Sequence, residues 1–155
     1  LAKRGEPVVH GHGTPDDFRI GRAIVLQDGG DIALVATSNM LPSAVEAARR
    51  LKADHAIPTT VVSMHTVKPL DGRCVRRLAE CCRAIFTIEE HSVLGGLGGA
   101  VCEVVADIPT RCTVHRIGIP DRFVHVSGSQ AYYREQCGLT PDGIVARILE
   151  AKAYA

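Results

Sequence analysis

The residues best suited to chemistry stand together in Thr87-Ile88-Glu89-Glu90-His91, with Gly95, Gly96, Gly98 and Gly99 just beyond. A carboxylate beside an imidazole can act as a general base with its orienting partner, the roles open to His91 and Glu90. Glycines before a helix let backbone approach a ligand, and the helix start offers N–H groups and a partial positive charge to an anion. A plainer reading stands beside this one. In it the glycines shape a tight turn and close helix–sheet packing, while the polar triplet is solvated. Gly96-x-Gly98-x-x-Val101 falls short of a dinucleotide fingerprint, because valine takes the third glycine's place and the segment lies late in the chain.

Strands and helices alternate around this segment. Ala23 to Gln27 reads as a short strand, and Asp28-Gly29-Gly30 as a hairpin-like turn into a strand at Ile32 to Thr37, which predicts antiparallel pairing of the two. Helical spacing follows over 41–53, 70–82 and 98–107, with strands at 59–64, 84–88 and 113–117 between. A short helix over 129–136 stops at Gly138, and Thr140-Pro141 supplies an N-cap and first position for the last helix. This ββαβαβαβαα order predicts a three-layer α/β/α domain, its mixed five-stranded sheet mostly parallel with one antiparallel edge strand. Ligands of such sheets collect outside the carboxyl ends of the strands. Ser38-Asn39, His65-Thr66, Glu89-Glu90-His91 and Pro120-Asp121-Arg122 fall there.

With 155 residues, 46% hydrophobic and 23% charged, the chain can form one domain with a real core. A formal net charge of +1 argues against nucleic acid or an acidic membrane held by bulk electrostatics. No apolar stretch is long enough to span a bilayer. The six cysteines form no CxxC pair and sit among apolar neighbours, the pattern of reduced thiols in a cytoplasmic protein; adjacent Cys81-Cys82 is the one redox candidate. Residues 1–19, rich in glycine and proline and starting at Leu1, read as a linker from an upstream domain. His10-Gly11-His12 lacks the further ligands a metal site needs.

An ordered series of segments resembles the C-terminal domain of the transketolase family. It runs through Ile20-Gly21-Arg22-Ala23, Asp31 to Thr37, Val67-Lys68-Pro69-Leu70-Asp71, Thr87 to His91, Gly95 to Val101, Arg116 to Phe123 and Gly138-Leu139-Thr140. It covers residues 20–155 as a domain. Lys68 to Asp71, Glu90-His91 and Asp121-x-Phe123 look most like transketolase itself, and above all like its split C-terminal subunits. Deoxyxylulose-phosphate synthases and the beta subunits of 2-oxo acid dehydrogenases carry similar domains.

The resemblance implies a transferase of carbohydrate metabolism, in the pentose phosphate pathway, that moves a two-carbon ketol unit between sugar phosphates. Its thiamine diphosphate and divalent metal (Mg or Ca) are held by other domains, separate or missing here, and its parent enzyme is a homodimer. The Gly-Asp-Gly motif for metal and diphosphate is absent from this sequence. No catalytic, cofactor-binding or metal-binding residue is therefore carried over, and the isolated chain is expected to be inactive. What the resemblance leaves to this domain is dimer assembly and a regulatory or anion site, for which Glu90, His91, Gly95, Gly96, Asp121 and Arg122 are the candidates. A stand-alone regulator-binding module and a subunit that docks a separate catalytic chain remain open alternatives.

Overall fold

The computed structural model of the protein describes residues 7–10, 18–123 and 127–153. Most of the linker expected over 1–19, His12 included, lies outside the described residues. The chain runs β1 (Ile24–Gln27), β2 (Ile32–Ala36), a 3-10 turn (Ser38–Met40), α1 (Leu41–His55), β3 (Thr60–Ser63), α2 (Gly72–Cys81), β4 (Ala84–Ser92), α3 (Leu97–Ala106), β5 (Thr113–Ile119), α4 (Gln130–Gln136) and α5 (Pro141–Ala153). This is the expected order. The strands form one sheet in the order β1-β3-β2-β4-β5.

Period-two alternation along the strands builds two cores. Leu34, Phe86 and Ile88 face α1 and α5, where Ala44, Leu51, Ile144 and Ile148 are buried. Val35, Val62 and Ile85 point the other way, against Val75 and Leu78 of α2 and Val101 of α3. Side chains are thus buried on both faces, and every residue of β2 is buried. That is why β2 reads as a continuous apolar run rather than an alternating one.

One expected pairing is wrong. β1 is antiparallel, as the sequence suggested, but it pairs with β3 and not with β2. β2 instead lies between two parallel neighbours, β3 and β4. The Asp28-Gly29-Gly30 turn carries the chain around the amino end of β3. Gly29 donates its N–H to Thr60 Oγ1 at 3.1 Å, and Gln27 Nε2 donates to the Thr59 carbonyl at 2.8 Å. Gly30, at φ +90°, passes so close to Pro58 that a Cβ would stand 2.0 Å from its carbonyl oxygen. Both sides of β2 satisfy their ladders with more deeply buried partners, β3 and the central part of β4, leaving the half-exposed β1 for the sheet edge.

Segments that are distant in sequence tie the carboxyl edge together. Asp71 caps α2 by accepting from the Cys74 N–H at 3.0 Å, and its second oxygen accepts from the Ala23 N–H at 2.9 Å. Gly21 donates to Thr66 Oγ1 and packs under Pro69. The Thr140 hydroxyl accepts from the Gly143 N–H at 3.2 Å, the N-cap expected for the last helix. β2 feeds α1 on one face, whereas β3 and β4 feed α2 and α3 on the other. The carboxyl ends of β2 and β4 therefore flank the point where the winding reverses.

Candidate functional site

β4 carries the polar triplet as strand: its register against β5 shifts after Ile88, and pairing resumes at Ser92 opposite Ile119. Alternation then sends adjacent carboxylates to opposite faces. Glu89 follows Thr87 toward α3, and Glu90 follows Ile88 toward α4.

Glu89 is 2% exposed, yet its carboxylate is fully engaged. Oε2 accepts from the Leu97 N–H at 2.7 Å and Oε1 from the Gly98 N–H at 2.8 Å, the first two amides of α3. Free helix-start amides attract an anion, and here the chain supplies that anion from its own strand. The glycines are explained by the same contact. A Cβ on Gly96 would lie 1.9 Å from Glu89 Oε2, and one on Gly98 would lie 2.6 Å from Arg116 Cγ and 2.8 Å from Thr87 Oγ1. A Cβ on Gly99 meets nothing, while Gly95 turns the chain at φ +72°. The sequence showed the glycines and the carboxylate without their connection. The signal available was alternation, which places Glu89 on the face that α3 covers.

Glu90 is held by side chains instead of backbone. Gln130 Nε2 reaches both its oxygens at 2.7 Å, and Arg134 donates to Oε2 from Nη2 at 2.8 Å and from Nε at 3.1 Å. Asn39 Nδ2 also donates to Oε2. Burial pushes this carboxyl up, but the hydrogen bonds from Arg134 and Gln130 and the Arg134 charge outweigh it and hold it below the usual carboxylate range. α4 buries no residue of its own, so this cluster is its main polar attachment to the sheet. His91 is exposed at 63% of its side chain, and its Nδ1 donates to the Ser92 carbonyl at 2.9 Å. No contact joins His91 to Glu90 as base and orienter among the described residues.

Thr37, Ser38, Asn39, Val67 and Glu89 to His91 with Gly95 to Leu97 enclose a cavity of about 430 Å³ at the winding reversal. Of the sequence candidates, Glu90, His91, Gly95 and Gly96 line it. Asp121 and Arg122 do not: both are exposed beyond β5. Gln130 and Arg134, absent from the sequence candidates, prove to be what Glu90 binds. Nothing in their local pattern marks them, because α4 reaches Glu90 only through the tertiary fold. Among the described residues no group of three or more His, Cys, Asp or Glu is placed to hold a metal ion. Among them, too, no helix is long and apolar enough to cross a membrane.

Comparison with known proteins gives this architecture its relatives. Residues 21–144 match the family model described as the transketolase C-terminal domain. A 1-deoxy-D-xylulose-5-phosphate synthase of Pelotomaculum thermopropionicum is 42% identical over 139 residues, covering 87% of this chain and 22% of that protein. A putative transketolase C-terminal section of Methanocaldococcus jannaschii is 33% identical over 150 residues, covering 97% of this chain and 46% of that one. Among solved structures, a split gene transketolase in an inactive beta4 tetramer superposes with a TM-score of 0.82 at 37% identity, over 95% of this chain and 46% of its own. The chain thus spans a fifth to a half of the relatives it matches. The fold, the motif series and these matches agree: this chain belongs to the transketolase C-terminal domain family.

Proposed function

We propose that this chain is the non-catalytic assembly domain of a thiamine-diphosphate-dependent transferase, in which other domains hold the cofactor and its Mg or Ca ion. The observation that carries this reading is the division of labour at the carboxyl edge. Its carboxylates Asp71, Glu89 and Glu90 are spent on internal structure, while large apolar side chains face outward. Phe18, Ile20, Val67, Leu94 and Phe123 all sit at this edge and are exposed, Ile20 to 77% and Phe123 to 90%. A cluster of exposed apolar groups is the signature of an association surface. The catalytic domains, or a second copy in a homodimer, are the partners that the family relationship supports.

The cofactor, when bound by those domains, supplies an electron sink for carbon–carbon bond cleavage. This chain would orient and stabilise the assembly around it. The test is to assay the chain alone with thiamine diphosphate and magnesium, and then together with its thiamine-diphosphate-binding domains. Activity is expected only in the second case, with association lost in an Ile20→Asp, Phe123→Asp variant. Turnover by the chain alone would overturn the reading.

Two chemistries fit the parent enzyme: two-carbon ketol transfer between sugar phosphates, and synthesis of 1-deoxyxylulose 5-phosphate. Relatives at 41–42% identity carry the second name, and this supports it as the alternative. Assaying the assembled enzyme for both products decides between them. Regulatory binding at the 430 Å³ cavity is the second role open to the domain. Because Glu89 already holds the α3 amides, a neutral hydroxylated ligand suits that cavity better than an anion. Calorimetry with inorganic phosphate and with a free sugar separates these ligands.

A further inference from the structure

At the opposite, amino-terminal edge of the sheet a groove of about 930 Å³ opens between the starts of β2, β4 and β5. Three of the six cysteines line it: Cys81, Cys82 and Cys112. Cys81 is exposed at the end of α2, and its Sγ lies 3.8 Å from Sγ of buried Cys82. Cys112, half-buried, is near enough for its charge to be felt by Cys82 and for the Cys81 charge to reach it. Two arginines, Arg83 and Arg111, also line this groove. Arg83 is paired with Asp31 at 2.6 Å, whereas Arg111 has no hydrogen bond or ion pair among the described residues.

We propose that Cys81 and Cys82 form a thiol-exchange pair that takes small, carboxylate-bearing disulfides into this groove, with Arg111 as their anion contact. Cys81 first loses its proton to solvent. Its thiolate attacks one sulfur of the incoming disulfide; a new S–S bond forms, and the other sulfur leaves as a thiolate with the electron pair. Cys82 then loses its proton and attacks the Cys81 sulfur, releasing the second small thiolate and leaving a Cys81–Cys82 disulfide. The incoming disulfide is the oxidant and is reduced to two thiols, while the protein is oxidised by two electrons. Burial, and after it the neighbouring Cys81 charge, pushes the Cys82 thiol up to about 12. Capping Cys81 removes that second contribution but not the first, so the second step is the slow one and quickens as pH rises.

The probe is oxidised glutathione with the full chain, followed by intact mass and peptide mapping. Wild type is expected to gain one glutathionyl group on Cys81 and then to lose it, ending two hydrogens lighter. Cys82→Ala should stop at the adduct, and Cys81→Ala should form neither product. Arg111→Glu should slow oxidised glutathione several-fold and hasten the cationic disulfide cystamine, with the rate of alkylation by neutral iodoacetamide unchanged. That last measurement reports an intact fold. The proposal is overturned if Cys102 reacts as fast as Cys81, if the adduct never resolves at alkaline pH, if the link joins Cys112 instead, or if Arg111→Glu treats both disulfides alike.

Discussion

Glu89 and Glu90 are neighbours in β4, and they hold the structure in opposite ways. Glu89 is sealed under α3 with its hydrogen bonds to backbone amides, so its geometry is fixed by the chain path itself. Glu90 is reached by three flexible side chains from two other segments, and the helix it anchors has no fully buried residue. The first contact is rigid because its partners cannot move without unwinding a helix start. The second is adjustable, because Gln130 and Arg134 can swing away with α4 while the core stays packed. A strand that alternates faces thus turns one acidic dipeptide into a permanent lock and a removable clamp.

Removing the lock should have the largest effect. Glu89→Ala leaves two buried amides without acceptors, an expected loss of about 3 kcal/mol in a chemical denaturation curve. Unchanged stability would erase the distinction between the two carboxylates. Next comes Gly96→Ala, whose Cβ would invade the Glu89 position 1.9 Å away; overpacking of this kind costs about 2 kcal/mol. Combined with Glu89→Ala, the second substitution should cost much less than it does alone, because the closest clash is gone and the remaining one is with the exposed His91 side chain.

Glu90→Gln tests the clamp. Hydrogen exchange of the α4 amides should quicken about tenfold while that of α1 and β2 stays put. Acidification should do the same. A carboxyl held below its unfolded value stabilises above that value, and the contribution disappears as pH falls through the folded one. α4 should therefore loosen below the ordinary carboxylate range, before the two cores open. Global unfolding at the same pH would make the clamp part of the lock.

The smallest effects sharpen the picture through the remaining glycines. Gly99→Ala meets open space in helical backbone and should stabilise by about 0.5–1 kcal/mol. Gly95→Ala also meets open space but at φ +72°, and should cost about 1 kcal/mol from backbone strain alone. Opposite signs at two equally uncrowded positions would separate conformation from contact.

Much of this fold was legible in the sequence. Hydrophobic periodicity located all ten elements, and the Thr140-Pro141 cap and the antiparallel sense of β1 were visible locally. The partner of β1 was not, because Asp28-Gly29-Gly30 has hairpin composition and it takes the contacts of Gln27, Gly29 and Gly30 with Pro58 to Thr60 to show that it rounds β3. The candidate site was half legible. Glu90, His91, Gly95 and Gly96 do meet in one cavity, since strand, turn and helix are contiguous. Asp121 and Arg122 were expected beside them because they also follow a strand, but β5 is one strand further from the winding reversal. The role of Glu89 needed the three-dimensional closure of the turn onto its own strand.

The path of β1 around β3 also has a consequence in time. On a ribosome β1 emerges before β2, yet its ladder partner among the described residues is β3, which ends at Ser63. Until α1 and β3 have been made, the first strand has nothing to pair with and its edge stays open. β2 meanwhile waits for both its neighbours, the later of which begins at Ala84. The domain therefore cannot assemble from its beginning forward. Its sheet closes from the middle outward, and β1 is left to seal an edge that later residues create.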